Sequence, residues 1–291
     1  MSKASIAQSV HQRLLNVRDE TGEQFNHLLM RYGLERLLYR LVVSGHSEQF
    51  VLKGALLFAL WQDVPGRPTR DIDLLGFGDI NHDRLRRIFT EACNVHVVDD
   101  GLRFDADSIQ TNDIRDDQEY HGIRLRMLGF LDRTRLAIQV DIGFGDVLTP
   151  EPTQIDYPTI LDFPAPRLRA YHPATVIAEK LNAMVVLGMM NSRIKDFYDI
   201  HVILRHMNVK ETEMQAAIAS TFKRRKVELP QKMPIAFTPE FLEDGSKEIQ
   251  WQAFLHRSLL DEYGFTFRQI VDDLREKLWP ILLQLQKPRD K

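Results

Sequence analysis

Two aspartates one residue apart, Asp71 and Asp73, stand in the run Arg67-Pro68-Thr69-Arg70-Asp71-Ile72-Asp73-Leu74-Leu75. In an extended strand the period of two places both carboxylates on one face, with Ile72 and Leu74 on the other. Like charges about 7 Å apart along a strand repel each other; solvent tolerates them, and a divalent cation between them turns repulsion into binding. An isolated Asp-x-Asp is more often a pair of exposed strand-end residues than a metal site. Asp141 changes that weighting. It lies in AIQVDIGFG, on the face opposite Leu136, Ile138, Val140 and Ile142. If its strand neighbours 71–75 in one sheet, three carboxylates converge on the polar face. That arrangement can hold two Mg²⁺ ions, which clamp the attacking and leaving oxygens of a phosphoryl transfer. Asp146, a little further on, reads as a solvated loop residue.

A glycine turn and a charged helical region supply the other pieces such chemistry needs. Phe50, Val51 and Leu52 read as a short buried strand, followed by Lys53-Gly54 and then by Ala55 to Trp61 (ALLFALW) as an apolar helix. Glycine at a helix start lets a phosphate approach the free backbone N–H groups closely. No Gly-x-x-x-x-Gly-Lys-Ser/Thr and no Gly-x-Gly-x-x-Gly occurs, so this is not a Walker A loop or a dinucleotide fingerprint. Later, Glu179 and Lys180 lie in ATVIAEKLNAM, where Lys180 flanks an apolar face of Val176, Ile177, Leu181, Met184 and Val185. In NSRIKDFYD, Asp196 falls near a helix start, where the macrodipole favours a carboxylate, and Lys195 and Asp199 have the spacing of an i,i+4 pair. This set is either a surface ion-pair network or a cluster in which Lys180, Arg193 or Lys195 neutralises a triphosphate.

The elements that must position these residues follow from hydropathy. Leu28, Leu29, Tyr32, Leu34, Leu37, Leu38 and Leu41 recur at helical spacing, with Arg31, Glu35, Arg36 and Arg40 between them, and Gly45 provides a stop. The segment 71–75 reads as a strand and His82 to Cys93 as a helix. His121 to Phe130 and Thr134 to Phe144 alternate strongly enough for a β-hairpin closed at Leu131-Asp132-Arg133. Pro65, Gly66 and Pro68 mark a loop. Five prolines between Pro150 and Pro166 mark the best boundary, after which strand signals fade and helical patterns run to the end, the last over Phe267 to Leu285. Hydrophobic residues at 44% and charged residues at 27% exclude disorder and allow a sizeable core. The 38 Lys and Arg against 41 Asp and Glu leave a net charge of −3, so any nucleic-acid contact rests on a local patch. Arg124 with Arg126, Arg167 with Arg169, and Lys223-Arg224-Arg225-Lys226 are the candidate patches. The single cysteine, Cys93, fits a reducing compartment. No signal-peptide core is present, and the longest apolar stretch, Ala183 to Met190, is too short to span a bilayer. His121, His172, His201 and His206 lack zinc-ligand spacing, His201 and the pair Phe58 and Trp61 read as packed, and no Gly-x-Ser-x-Gly elbow anchors a hydrolase triad.

The ordered set FVLKGALLFAL…RPTRDIDLL, VDIGFGD and PATVIAEKLNAM…NSRIKDFYDIHVIL, from about residue 48 to 205, resembles the AbiEii/AbiGii toxin family of nucleotidyltransferases, in the DNA polymerase β-like superfamily. The resemblance implies an α+β fold, a polymerase β-like mixed sheet flanked by helices with a mostly helical C-terminal region. The expected organisation is an N-terminal helical segment over 1–47, a nucleotidyltransferase core over 48–160, and a helical region over 161–291 that completes the active site between the carboxylate face and the Lys180–Asp199 helices. By resemblance, Asp71, Asp73 and Asp141 are the metal ligands, with Asp141 a ligand or general base. Lys180 and Asp196 are catalytic, and Lys53, Gly54, Thr69, Arg193 and Lys195 bind the nucleotide. Mg²⁺ in a two-metal site and an NTP co-substrate are implied. So are a toxin of a toxin–antitoxin or phage-defence system, an RNA acceptor of which the tRNA acceptor end is first, a block of translation, and an antitoxin encoded nearby. The expected setting is the cytoplasm, with no membrane. The family motif commonly opens Gly-Gly or Gly-Ser, and Gly54-Ala55 here lacks one hydroxyl contact while keeping the backbone N–H. Residues 206–291 match nothing recognisable. Two other readings stay open: transfer to a protein hydroxyl or small molecule, which the near-neutral charge permits, and a non-catalytic partner-binding module of the same fold. The intact carboxylates and Lys180 speak against the second.

Overall fold

The computed structural model describes residues 3–61, 67–114, 122–258, 260 and 264–286. The Pro65-Gly66 punctuation and His121 lie outside them. The chain forms two compact units, the first from 1–60, 68–145 and 153–170, the second from 61–67, 146–152 and 171–291.

The first unit opens with two helices, α1 (Lys3–Thr21) and α2 (Phe25–Val43), and continues with β1 (Phe50–Lys53), β2 (Asp71–Gly76), α3 (His82–Asn94), β3 (Leu102–Ile114), β4 (Gly122–Leu131), β5 (Thr134–Phe144), β6 (Thr153–Asp156) and β7 (Arg167–Ala170). The strands form one seven-stranded mixed sheet in the order β3-β4-β5-β2-β1-β7-β6. The pairs β2/β5 and β1/β7 are parallel and the others antiparallel. The alternation in β5 works as expected: Leu136, Ile138, Val140, Ile142 and Phe144 are buried, and the residues between them are not. α2 lies against this apolar side. A Cβ on Gly33 would stand 3.2 Å from Leu136 Cδ1, so the glycine sets how closely helix and sheet approach. α2 ends as its glycine predicts, with Gly45 at φ +81° and the Gly45 and His46 N–H groups returning to Val42 and Leu41.

Three features of this unit differ from the sequence expectation. β3 lacks a clean period because its pairing with β4 shifts register between Asp105 and Gln110, and only Leu102, Phe104 and Ile109 are buried. β6 and β7 lie within and just after the proline-rich stretch, where prolines flank the strands rather than exclude them. And Glu35, Arg36 and Arg40, spaced like a polar helix face, are buried. The partner of both arginines is Asp100, whose carboxylate accepts from Arg36 Nε at 2.9 Å and from Arg40 at 2.7 and 2.8 Å, while Glu35 Oε2 accepts the Ile160 N–H at 2.8 Å. Burial raises the Glu35 carboxyl to about 7, against the lowering effect of its hydrogen bond from Ile160 and of Arg36.

The second unit is helical: α4 (Pro173–Leu187), α5 (Ile194–His206), α6 (Glu211–Arg224), α7 (Pro239–Glu243), α8 (Gly245–Ser258) and α9 (Phe267–Gln286). His172 caps α4 by accepting the Ala174 N–H. Counted from Pro173 to Met190, this segment is apolar and long enough to cross a bilayer, longer than the stretch measured from Ala183. Half of it is buried within the protein, and Glu179 and Lys180 at its middle are ion-paired, as suits a core helix. Phe197 of α5 stacks on Phe241 of α7 at 5.7 Å and meets Phe267 of α9 edge-on at 5.2 Å, with Trp251 of α8 against Phe267. This aromatic cluster fixes the rotation of α5 about its own axis. His201 is packed, as expected, and burial pushes its imidazole down to about 4.

Candidate active site

The parallel pairing of β2 with β5 sets Asp73 directly beside Asp141 and Asp71 beside Gln139. The neighbouring antiparallel pairings extend these rows. Asn112, Arg124, Asp141, Asp73 and Lys53 form one line across β3, β4, β5, β2 and β1 on the polar face. Backbone register alone thus produces two adjacent acids with a cation at each end. One oxygen from each of Asp71, Asp73 and Asp141 lies within 4.8 Å of the others, and all three side chains are half-buried. The three strand carboxylates meet as the sequence spacing predicts.

Each carboxylate is held differently. The Thr69 hydroxyl donates to Asp71 Oδ1 at 2.6 Å, so Thr69, expected to touch the triphosphate, orients an acid here. Gly54 has φ +75°, and a Cβ there would stand 1.9 Å from Asp73 Oδ2. Only glycine lets the chain turn against that carboxylate. The helix expected after Gly54 is a 3₁₀ segment, Gly54–Leu60, with Ala55, Leu56, Leu57 and Phe58 buried. Asp141 accepts from Arg124 through both oxygens, Nε to Oδ1 at 2.8 Å and Nη2 to Oδ2 at 2.6 Å. That pairing raises the Arg124 pKa further. Lys53 Nζ lies 3.2 Å from where a Cβ of Gly143 would be, so Gly143 leaves room for the ammonium above β5.

The second constellation lies wholly in the helical unit. Asp196 and Asp199, three apart on α5, share a face. Lys180 Nζ donates to Asp196 Oδ1 at 2.5 Å and lies 2.9 Å from Asp199 Oδ2. Arg67 donates Nε and Nη2 to Asp199 at 2.9 and 3.0 Å. Asp199, 1% exposed, therefore pairs with Lys180 and Arg67 rather than with Lys195, which points to solvent. Burial alone would raise the Asp199 carboxyl, but Arg67 and Lys180 outweigh it and hold it well below the usual range. Burial would likewise lower the Lys180 ammonium, but Asp196 and Asp199 raise it. Arg193 is exposed at the start of α5.

Sequence reasoning missed several members of these sets. Arg67 opened a quoted motif without a role. Asp146 is not a solvated loop residue: it accepts from Arg225 Nη2 at 3.0 Å and its side chain is 7% exposed. Arg225 also faces Glu179, which removes it from the basic surface run. Lys247 lies beyond residue 205, where sequence reasoning found no motif although the family match reaches residue 273; it buries its ammonium against the Met189 and Asn191 carbonyls at 2.7 and 3.0 Å, pinning the turn between α4 and α5. Its neighbours Gly245, Ser246, Glu248 and Gln250 are polar or small, so no sequence signal marks it as buried.

Three oxygen donors at this spacing suit a hard divalent cation. An octahedral ion bound at about 2.0–2.1 Å would draw its ligand oxygens roughly 3–4 Å apart, within reach of small side-chain rotations. The fold that carries this acidic face is that of a nucleotidyltransferase. A Helicobacter pylori protein described as a nucleotidyltransferase shares the fold, with a TM-score of 0.51 and 16% identity over 89% of this chain and 96% of that one. JHP933 of Helicobacter pylori matches with a TM-score of 0.49 and 16% identity over 87% and 92%. No curated protein matches. Residues 36–273 match the family model described as "Nucleotidyl transferase AbiEii toxin, Type IV TA system". The chain belongs to this AbiEii family of nucleotidyltransferase toxins of toxin–antitoxin systems.

Proposed function

We propose that the protein transfers a nucleotide from an NTP to an RNA hydroxyl, first the acceptor end of tRNA, with Mg²⁺ held by Asp71, Asp73 and Asp141. The transfer blocks translation in the cytoplasm, and an antitoxin relieves it. The observation that carries the reading is the meeting of three strand carboxylates in a chain of this family. The attacking hydroxyl forms a bond to the α-phosphorus, the bond to the β-phosphate oxygen breaks, and pyrophosphate leaves. Bound Mg²⁺ supplies polarisation of the α-phosphate and neutralisation of developing charge. Asp141, the third carboxylate and the direct neighbour of Asp73 across the strands, is placed as a metal ligand or as the acceptor of the hydroxyl proton. Lys53, at the end of the acidic row, and the Gly54 turn bind phosphate oxygens, while Thr69 keeps Asp71 aimed. Exposed Arg193 and Lys195 offer cations to the triphosphate. Lys180, paired to Asp196 and Asp199, acts as a fixed charge rather than a proton donor. Of the basic patches, Arg126, Arg167, Lys223, Arg224 and Lys226 are exposed and suited to an RNA backbone.

The test incubates purified protein, Mg²⁺ and total tRNA with each labelled NTP in turn. Label in tRNA, absent with Asp71→Asn and Asp73→Asn, supports the reading. Label confined to protein bands would sink the RNA acceptor and favour a protein hydroxyl. Undiminished labelling by both variants would sink the metal assignment.

A further inference from the structure

The carboxylates of the triad are not equivalent. Asp71 is held by a neutral hydroxyl, whereas Asp141 carries a dedicated cation. Arg124 is its direct cross-strand partner on β4, and the guanidinium fork engages both Asp141 oxygens. Register places it there, so the pairing is a property of the sheet and not of a wandering surface side chain. A bidentate pair of this kind uses the in-plane lone pairs that face the fork. A divalent cation shared with Asp71 and Asp73 must bind one of the same oxygens, beside a guanidinium of its own sign. Arg124 and the metal therefore compete for Asp141. The Arg124 side chain is 34% exposed against 16% for Asp141, so the arginine has solvent to swing into while the aspartate stays.

We propose that Arg124 is the resident counter-ion of the triad. It occupies Asp141 while no divalent cation is bound, and it gives up at least one hydrogen bond before Asp141 becomes a ligand. It is a positioning residue that acts through Asp141 and sets the metal concentration at which the site fills. This rests on the triad being the metal site.

The test is binding of Mn²⁺ alone, without nucleotide, followed by the loss of the free-ion electron paramagnetic resonance signal. Wild type, Arg124→Gln, Arg124→Lys and the Asp71→Asn/Asp73→Asn double variant are compared. Arg124→Gln should bind at least about tenfold more tightly than wild type, because one unit charge beside the ion is gone. Arg124→Lys, which keeps the charge but loses the fork, should fall between them. In turnover, the half-saturating Mn²⁺ concentration of Arg124→Gln should drop while kcat falls, because Asp141 is no longer held. Equal or weaker Mn²⁺ binding by Arg124→Gln overturns the assignment and makes Arg124 a brace. Wild type binding no better than the double aspartate variant overturns the metal reading, and this proposal with it. Should the arginine variants not fold, the Arg124 Nε–H resonance of wild type decides. With the Arg124 Nη2–H resonance followed as well, at least one of the two should lose its protection from exchange on adding Mg²⁺, and full protection of both in the metal-bound protein overturns the proposal.

Discussion

Replacing Gly54 with alanine tests whether the turn and the carboxylate face are one device. At φ +75° an alanine enters the left-handed region, which costs about 1–2 kcal/mol. Its Cβ would also stand 1.9 Å from Asp73 Oδ2, 2.6 Å from Cγ and 2.7 Å from Cβ. Rotating Asp73 clears the first two contacts. The third belongs to an atom fixed on β2, so the turn itself must retreat by a few tenths of an ångström. Overpacking of this kind adds about 1–3 kcal/mol, so Gly54→Ala should lose about 2–5 kcal/mol in all. Gly45 supplies the control: its φ is +81° and nothing lies within 4 Å of its Cβ position, so Gly45→Ala carries the backbone cost alone. At about 2–4 °C per kcal/mol for a domain of this size, Gly45→Ala should melt about 2–8 °C below wild type and Gly54→Ala roughly twice as far below. Their activities should separate more sharply. Gly45→Ala should transfer nucleotide normally, while Gly54→Ala should lose about 100-fold or more in kcat, the effect of moving a catalytic group by about 1 Å. Thermal melts and initial rates of label transfer on the same preparations measure both. Adding Asp73→Gly to Gly54→Ala should return the stability loss to the Gly45→Ala value. A Gly54→Ala protein as active as Gly45→Ala would refute the reasoning, since Asp73 would then not need its place against the turn.

Lys180→Met should destabilise the helical unit by about 3–5 kcal/mol, because Asp196 and Asp199 stay buried without the ammonium. Urea midpoints should show Lys180→Met/Asp199→Asn losing less than the two single variants together. Glu35 binds its proton more tightly folded, at about 7, than its ordinary value of 4.5. The folded state is therefore favoured at low pH, and this contribution is lost as pH rises from about 4.5 to 7, a fall of about 3 kcal/mol. Glu35→Gln, which keeps an acceptor for the Ile160 N–H, should match wild type in urea near pH 4.5 and exceed it at pH 8. Gly143→Ala should push Lys53 Nζ aside, raising the KM for NTP about tenfold while stability changes by less than about 0.5 kcal/mol; an unchanged KM would remove Lys53 from the phosphate site.

The site was legible where periodicity and register coincide. Asp71, Asp73 and Asp141 alternate with residues that the core demands, so their face follows from Ile72, Leu74, Val140 and Ile142. What the sequence hid are partners that only three-dimensional proximity creates. Arg124 alternates as well as Arg126 does, yet Arg124 faces Asp141 and Arg126 reaches Gln139. Arg36, Arg40 and Asp100 look like solvated residues because their neutralising contacts are some 60 positions away. Lys195 has ideal spacing to Asp199, but α5 turns that aspartate inward, where Lys180 and Arg67 neutralise it. β3 escaped because an irregular edge strand buries few of its side chains.

Arg67 and Asp199 stand 132 positions apart. All seven strands of the sheet lie before residue 171, whereas the helical unit recruits 61–67 and 146–152 from within the span of the sheet. A ribosome adding about 5–20 residues per second delivers Asp199 roughly 7–26 s after Arg67. During that interval the acidic row can assemble, but Arg67 waits for its acceptor and Lys180 for its two carboxylates. A half-made chain therefore holds the strand carboxylates before the ion pairs of the helical unit exist. The charge cluster of the helical unit thus becomes complete only once about two-thirds of the chain has been made.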